Sequence, residues 1–186
     1  MDIDGLRQAI DTTRGVLRDV RADQLDAPTS CASWKVSDVI NHVVGGQYFF
    51  SSAMRGEAPA GEAPDFAAGD FVTMFDEGAA ACIAAFESEG AMERIVKLPF
   101  GEMPGSAFLG IAATDTLTHG WDVARATGQS TDLSPELATR VLAEIRPAIS
   151  DGFRGEDGKA PFGPEQTAPP DASNADRLAA FLGRRV

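Results

Sequence analysis

Two histidines, His42 and His119, are the only imidazoles in the chain, and each falls in a segment with helical periodicity. Asp115 precedes His119 by four residues, a spacing that places a carboxylate and an imidazole one turn apart on one helix face. His42 would come from another helix as the third ligand. Three protein ligands leave a coordination position of a divalent metal open for chemistry. The spacing therefore predicts a metal site formed by His42, Asp115 and His119.

Each of these residues also has an ordinary structural interpretation. A helix histidine hydrogen-bonded to a neighbour is common, and an i,i+4 pair of Asp115 and His119 stabilises a helix by about 0.2–0.5 kcal/mol without any metal. Apolar surroundings favour the metal site, because buried polar groups must be paired or coordinated. Asp122, three residues after His119, faces the same side. We expect Asp122 to accept a hydrogen bond from the His119 imidazole. Alternatively, Asp122 could bind the metal in place of Asp115.

Length, charge and composition limit the class of protein. The length of 186 residues suits a single domain, residues 1–186. The composition, with 44% hydrophobic and 24% charged residues, is typical of a soluble globular protein. Acidic residues outnumber basic ones by 28 to 16, so the surface should repel nucleic acid and anionic lipid. No targeting segment or membrane span is recognisable, and we expect a cytoplasmic protein. Cys31 and Cys82 are expected to be free thiols.

Apolar periodicity indicates helices along most of the chain. The first carries an apolar stripe from Leu6 to Val20 and is expected to end near Pro28. The second follows Ser37 and contains His42, and a loop is expected from Gly56 to Gly69. The third carries a stripe from Phe71 to Phe86, expected to face the core rather than a dimer partner.

The fourth helix is expected from Ser106 to Thr127 and carries Asp115, His119 and Asp122. A strand-like connector over Arg94–Leu98 precedes it. Ser134-Pro135-Glu136 is typical of a helix start, residues 151–170 are irregular, and a short last helix spans Asn174–Leu182. The pattern predicts an all-α, up-and-down four-helix bundle with additional C-terminal helices.

Three segments resemble a known family. They are the run from Thr29 to His42 with its cysteine, tryptophan and histidine, the run from Asp115 to Gly128, and the tail from Asp176 to Arg184. Together they resemble the mycothiol-dependent maleylpyruvate isomerase-like proteins, a branch of the DinB-like metal proteins, and within it a small single-domain group. The resemblance implies a DinB-like bundle and a metal, usually zinc, held by His42, Asp115 and His119.

Departures from the isomerase pattern limit what the resemblance implies. The isomerase has a glutamate where this chain has Asp115, a proline beside the cysteine where this chain has Ser30, and an additional C-terminal domain. Isomerase activity is therefore not expected. Nickel, iron and manganese also suit two imidazoles and one carboxylate.

The resemblance implies mycothiol as co-substrate. A thiol at the open metal position would be bound as thiolate, since coordination lowers the pKa of the thiol. We expect a metal-dependent thiol S-transferase or conjugating enzyme acting on a small electrophile. A non-catalytic metal- and ligand-binding protein is the second interpretation. A metal-dependent hydrolase, with Asp122 as general base, is the third. Cys31 is better interpreted as a buried turn cysteine than as a nucleophile, and the sequence does not distinguish a monomer from a homodimer.

Overall fold

Four long helices organise the chain in the computed structural model, which describes residues 1–31, 33–57, 63–99, 101–156 and 159–186. The described helices and strands, in chain order, are α1 (Ile3–Arg18), α2 (Val36–Arg55), α3 (Phe71–Phe86), β1 (Ile95–Leu98), β2 (Gly101–Pro104), α4 (Gly105–Thr127), α5 (Pro135–Ile145) and α6 (Asn174–Phe181). Short 3₁₀ turns occur at Ala22–Gln24, Phe66–Ala68 and Asp151–Phe153. The all-α four-helix prediction is confirmed.

The long helices run in the order up, down, down, up. α2 and α4 are antiparallel, because His42 lies beside Asp115 while Met54, near the other end of α2, lies beside Gly105. α2 and α3 are parallel. Asn41, near the start of α2, accepts a hydrogen bond from the Ala67 amide, which precedes α3, and Tyr48, further along α2, donates to the carbonyl of Met74 in α3. The connection between them therefore returns the chain to the level at which α2 begins, as crossover connections do in helix bundles. The helix order differs from the predicted up-and-down order, because the long connection after α2 makes α3 parallel to it. It places the two histidine-bearing helices side by side.

Helix ends differ from the predictions where side chains from distant segments intervene. α1 ends at Arg18 instead of near Pro28, and the following 3₁₀ turn is held by Gln24, whose amide donates to the carbonyl of Thr127. α2 begins at Val36, one residue before Ser37. α5 begins at Pro135 as predicted, but the Ser134 hydroxyl bonds to Thr12 and not to the helix backbone. The contacts of Gln24 with Thr127 and of Ser134 with Thr12 join residues far apart in sequence, so local sequence patterns do not predict them.

The connector before α4 is a β-hairpin. β1 pairs antiparallel with β2, from Ile95 opposite Pro104 to Leu98 opposite Gly101. The strand-like connector is thus confirmed, while its partner strand was not predicted. The loop predicted from Gly56 to Gly69 includes residues 58–62, which lie outside the described residues, as do residues 157–158 of the irregular segment.

The core lies between the four long helices and extends to α5 and α6. The predicted stripe on α3 faces inward, with Phe75, Cys82 and Phe86 buried. No disulfide joins Cys31 and Cys82, as predicted. Burial raises the pKa of the Cys82 thiol to about 12, so this cysteine is not a nucleophile at neutral pH. Among the helices that the structure describes, none is long and apolar enough to span a membrane.

Close approach of α1 to α4 requires a glycine at position 120. A Cβ at Gly120 would overlap the Thr13 hydroxyl and lie 3.2 Å from the Thr13 Cβ. That hydroxyl donates to the carbonyl of Thr116 at 2.9 Å, so it cannot turn away without losing a buried hydrogen bond.

We predict that Gly120→Ala lowers the free energy of unfolding by about 1–3 kcal/mol, because the added methyl overpacks the α1/α4 contact. Gly110→Ala on the same helix is the matched control, since its Cβ would lie 3.8 Å from the Met1 Cβ, an ordinary contact. Urea titration of both variants measures the difference. Equal midpoints for the two alanine variants would contradict this packing.

Candidate metal centre

The three predicted ligands converge between α2 and α4. The His42 Nε2 lies 3.1 Å from the Asp115 Oδ1, and the His119 Nε2 lies 3.6 Å from the same oxygen. One ligand atom from each of the three residues lies within 4.8 Å of the other two. Their convergence follows from the i,i+4 spacing on α4 and the antiparallel placement of α2, and metal ligation itself stays a prediction.

Asp115 packs against α2. Gly46 is one turn after His42, and a Cβ built there would lie 3.6 Å from the Asp115 Oδ2, an ordinary van der Waals contact. The Asp115 side chain is only partly exposed to solvent.

His119 is fixed by a carboxylate on its other ring nitrogen. The His119 Nδ1 lies 3.0 Å from the Asp122 Oδ2. Because the pKa of Asp122 is about 2, its carboxylate only accepts, and we assign the proton to Nδ1. The Nε2 then has a lone pair directed toward Asp115 and His42, which is the orientation that metal-ligating histidines adopt.

An arginine from the C-terminal tail compensates the buried charge of Asp122. The Arg184 Nη2 donates to the Asp122 Oδ2 at 3.0 Å and the Nε donates to Oδ1 at 3.3 Å. The Asp122 side chain is 0% exposed. Burial alone raises the pKa of such a carboxyl, but Arg184 and His119 outweigh it and lower the pKa of Asp122 to about 2.

Cys31 lies beside this ion pair. Its Sγ is 3.6 Å from both the Asp122 Oδ2 and the Arg184 Nη2. Cys31, His119 and Asp122 form a second group whose ligand atoms lie within 4.8 Å of one another. His119 belongs to both groups, so the two arrangements are alternatives for one ion.

Charge interactions inside the first group favour the ionised forms. Burial opposes ionisation of Asp115, yet His119 and His42 lower the pKa of this carboxyl below its ordinary value. Burial lowers the pKa of His42, but the hydrogen bond to the Asp115 carboxylate and the negative charge of that carboxylate outweigh burial and raise the pKa.

Two buried oxygens in this region have no hydrogen-bond partner among the described residues, the Asp115 Oδ2 and the Thr118 Oγ1. An unpaired buried carboxylate oxygen is costly. The other oxygen of this carboxylate, Oδ1, lies near both imidazole nitrogens, and these three atoms fit a divalent metal such as zinc, nickel, iron or manganese.

Two residues of the site were not predicted. The Trp34 ring lies 4.9 Å from the His42 ring and 5.6 Å from the His119 ring, centroid to centroid, and so covers both imidazoles. Arg184 reaches Asp122 from 62 residues away. Both belong to the segments that carry the family resemblance, but local spacing does not indicate that either one reaches the histidines.

The site opens into a cleft of about 1740 Å³. α4 forms its floor, with Ile111, Asp115, Thr118 and His119 among the lining residues. One wall is the segment around Trp34, and the other combines the end of α5 with residues from 148–156 and 160–166 and with the C-terminal tail.

The family follows from a sequence comparison. The sequence model of the mycothiol maleylpyruvate isomerase N-terminal domain matches residues 6–124 of this chain. The chain belongs to this family. Residues 6–124 include both histidines, Asp115 and Asp122, so the matched part of this family member contains the whole predicted ligand set.

The chain is also similar to two mycobacterial relatives and, in its fold, to two solved structures. Two uncharacterized proteins of Mycobacterium tuberculosis, from strains CDC 1551 / Oshkosh and ATCC 25618 / H37Rv, are 46% identical over 182 residues, which is 97% of this chain and 96% of each relative. Crystal structures of the mycothiol-dependent maleylpyruvate isomerase and of a histidine-to-alanine mutant are 21% identical, with TM-scores of 0.61 and 0.62. The matched region covers 83% of this chain and 72% of the isomerase chain. The predicted family and DinB-like fold are confirmed.

We predict that Arg184→Met lowers the free energy of unfolding by about 3 kcal/mol at pH 7, because it leaves Asp122 buried with its charge uncompensated by a cation. Arg185→Met is the matched control, since that neighbouring arginine is exposed and its loss should cost less than about 0.5 kcal/mol. Denaturant titrations of both variants measure these losses.

The pH dependence gives an independent check. The folded pKa of Asp122 is depressed, so its contribution to wild-type stability is present above the ordinary carboxyl pKa of 3.8 and is lost as pH falls toward about 2. In Arg184→Met, protonation relieves the buried charge. Without Arg184, burial raises the pKa of Asp122, so the stability difference between wild type and variant should narrow as pH falls from 7 to 3. A difference that is constant from pH 7 to pH 3 would contradict the pairing.

Proposed function

We propose that this protein is a metal-dependent thiol S-transferase or conjugating enzyme that joins mycothiol, through its sulfur, to a small electrophile. One observation carries the proposal: two imidazole nitrogens and the Asp115 Oδ1 converge at the floor of a cleft. Membership of the family supports the choice of thiol, because the family's solved neighbour is described as a mycothiol-dependent isomerase.

In this proposal His42, Asp115 and His119 hold the metal, with zinc the first choice. A bound divalent ion would supply Lewis acidity, which lowers the pKa of a thiol near its open side below the ordinary value of about 8.5. The remaining steps belong to the chain. Asp122 and Arg184 hold the His119 ring in place, and Trp34 covers both imidazoles from solvent on one side.

Transfer is a better proposal than hydrolysis because of how Asp122 is paired. A hydrolase needs a general base beside the site, and Asp122 was the residue proposed for that role. Its two oxygens accept hydrogen bonds from His119 and Arg184, its side chain is fully buried, and its pKa is about 2. Such a carboxylate is a poor proton acceptor at neutral pH.

We predict that His42→Ala and His119→Ala each lose bound metal while helix content is retained, because two remaining ligands hold an ion weakly. Cys31→Ser is the matched control for the alternative arrangement, in which Cys31 and Asp122 would replace His42 and Asp115. Elemental analysis and circular dichroism of the purified variants give the two measurements. Metal retained in His42→Ala but lost in Cys31→Ser would reject the proposed ligand set.

We predict that the metal-loaded protein consumes mycothiol in the presence of a chromogenic electrophile and that a chelator abolishes this activity. The His119→Ala variant should be at least about 100-fold slower if the metal is required. Three parallel assays, with mycothiol, with another thiol and with no added thiol, test the choice of co-substrate. Tight metal binding with no turnover for any thiol would indicate a ligand-binding metal protein and reject the enzyme.

A further inference from the structure

One end of the cleft is apolar and exposed. Three large hydrophobic side chains are exposed among the described residues, and two of them, Ile111 at 37% and Phe153 at 50%, line the cleft. The third, Ile95, lies on the β-hairpin and is not among the described lining residues. Exposed apolar side chains concentrated in a cleft are characteristic of a ligand-binding surface.

This apolar end adjoins the predicted metal ligands. Ile111 is one turn before Asp115 on α4, about 6 Å along the helix axis and on the same face. The end of α5 lies opposite, because Met1 is close to Gly110 and its amino group pairs with Glu144 at 2.8 Å. Apolar residues from that side complete the wall, namely Ile145, Ala148, Ile149, Phe153 and Phe162.

Charged groups near the apolar end are already paired. Glu144 pairs with the Met1 amino group, and Glu156 pairs with Lys159. The arginines of the cleft belong to its other end, since Arg125 is fourteen residues beyond Ile111, about 21 Å along α4, and Arg185 follows the Arg184 that contacts Asp122. A carboxylate bound beside Ile111 would therefore be desolvated without a cation, which is unfavourable.

The cleft is large enough for two reactants. Its volume of about 1740 Å³ exceeds the roughly 300–1,000 Å³ of a typical small-molecule site. A thiol co-substrate at the polar, arginine-bearing end leaves the apolar end for the second molecule.

We propose that the apolar end binds the body of the electrophile, so that the substrate class is an uncharged electrophile with an aliphatic or aromatic body and not a small dicarboxylate. This inference rests on the proposed function. For an α,β-unsaturated carbonyl substrate, the thiol sulfur forms a bond to the β-carbon as the carbon–carbon π bond breaks. The thiol proton ends on the α-carbon, so no oxidant or leaving group is needed.

The test uses the metal-loaded protein, mycothiol and a series of 2-alkenals of four to ten carbons, with the uncatalysed rate subtracted. We expect kcat/KM to rise about 2–4-fold for each added methylene until the apolar end is filled, as burial of a methylene predicts. Maleate, a dicarboxylate with an activated double bond, should be a poorer substrate than any alkenal. Rates that do not change with chain length, or a preference for maleate, would overturn the proposal.

Variants locate the effect in the cleft. Ile111→Ser and Phe153→Ser should each lower kcat/KM for the eight-carbon alkenal at least about 5-fold and leave the four-carbon alkenal within about 2-fold. Ile95→Ser is the matched control, because it removes an equally exposed hydrophobic side chain outside the described cleft lining. A loss in Ile95→Ser equal to that in Ile111→Ser would reject the assignment to this surface.

Equilibrium binding separates this inference from the proposed function. Titration calorimetry with 1-alkanols of six to ten carbons requires neither metal nor turnover. If no thiol is consumed with any electrophile, the proposed enzyme activity is rejected. An alkanol affinity that rises with chain length and is lost in Ile111→Ser would still support binding of an apolar ligand at this end of the cleft. Turnover without any effect of chain length, together with no alkanol binding, rejects the inference and leaves the enzyme in place.

Discussion

The ion pair between Asp122 and Arg184 is the interaction on which the site depends. A carboxylate with no exposed surface must have its charge compensated, and here the cation comes from the end of the described chain while His119 supplies a further hydrogen bond. The same carboxylate sets the proton position on His119. A single buried charge thus joins the docking of the C-terminal tail to the orientation of an imidazole that faces Asp115 and His42.

α4 meets two requirements on different faces. On one face Gly120 and the Thr116 carbonyl let α1 approach closely, and on another face Asp115 and His119 reach toward α2. Because close-packed helices cannot shift without overlap, the α1/α4 contact restricts movement of the residues that face α2. The distance between His42 and Asp115 is therefore a consequence of helix packing and not of the two side chains alone.

The sequence predicted what is local and missed what is long-range. The i,i+4 spacing of Asp115 and His119 needs only a helix and could be predicted. The contact of α2 with α4, which brings His42 to that pair, depends on the order up, down, down, up, because in an up-and-down bundle these two helices would lie diagonally. The end of α1, the partner strand of the β-hairpin and the contact of Arg184 with Asp122 depend on residues far apart in sequence. Helical periodicity carries no information about such pairs.

The division of the cleft between two parts of the chain suggests how its specificity arises. The family match over residues 6–124 contains the predicted ligands, Trp34 and Asp122, so the candidate metal centre belongs to the part that is typical of the family. The opposite wall, which includes Ile145, Phe153 and Phe162, and the compensating Arg184 come from later residues. Because helix packing within the bundle holds α2 against α4, a different wall would change the surface of the cleft while the two histidines keep their positions. Under the proposed function, the chemistry of the centre and the choice of electrophile are therefore separable, and Arg184 connects the later segment to Asp122 and, through it, to His119.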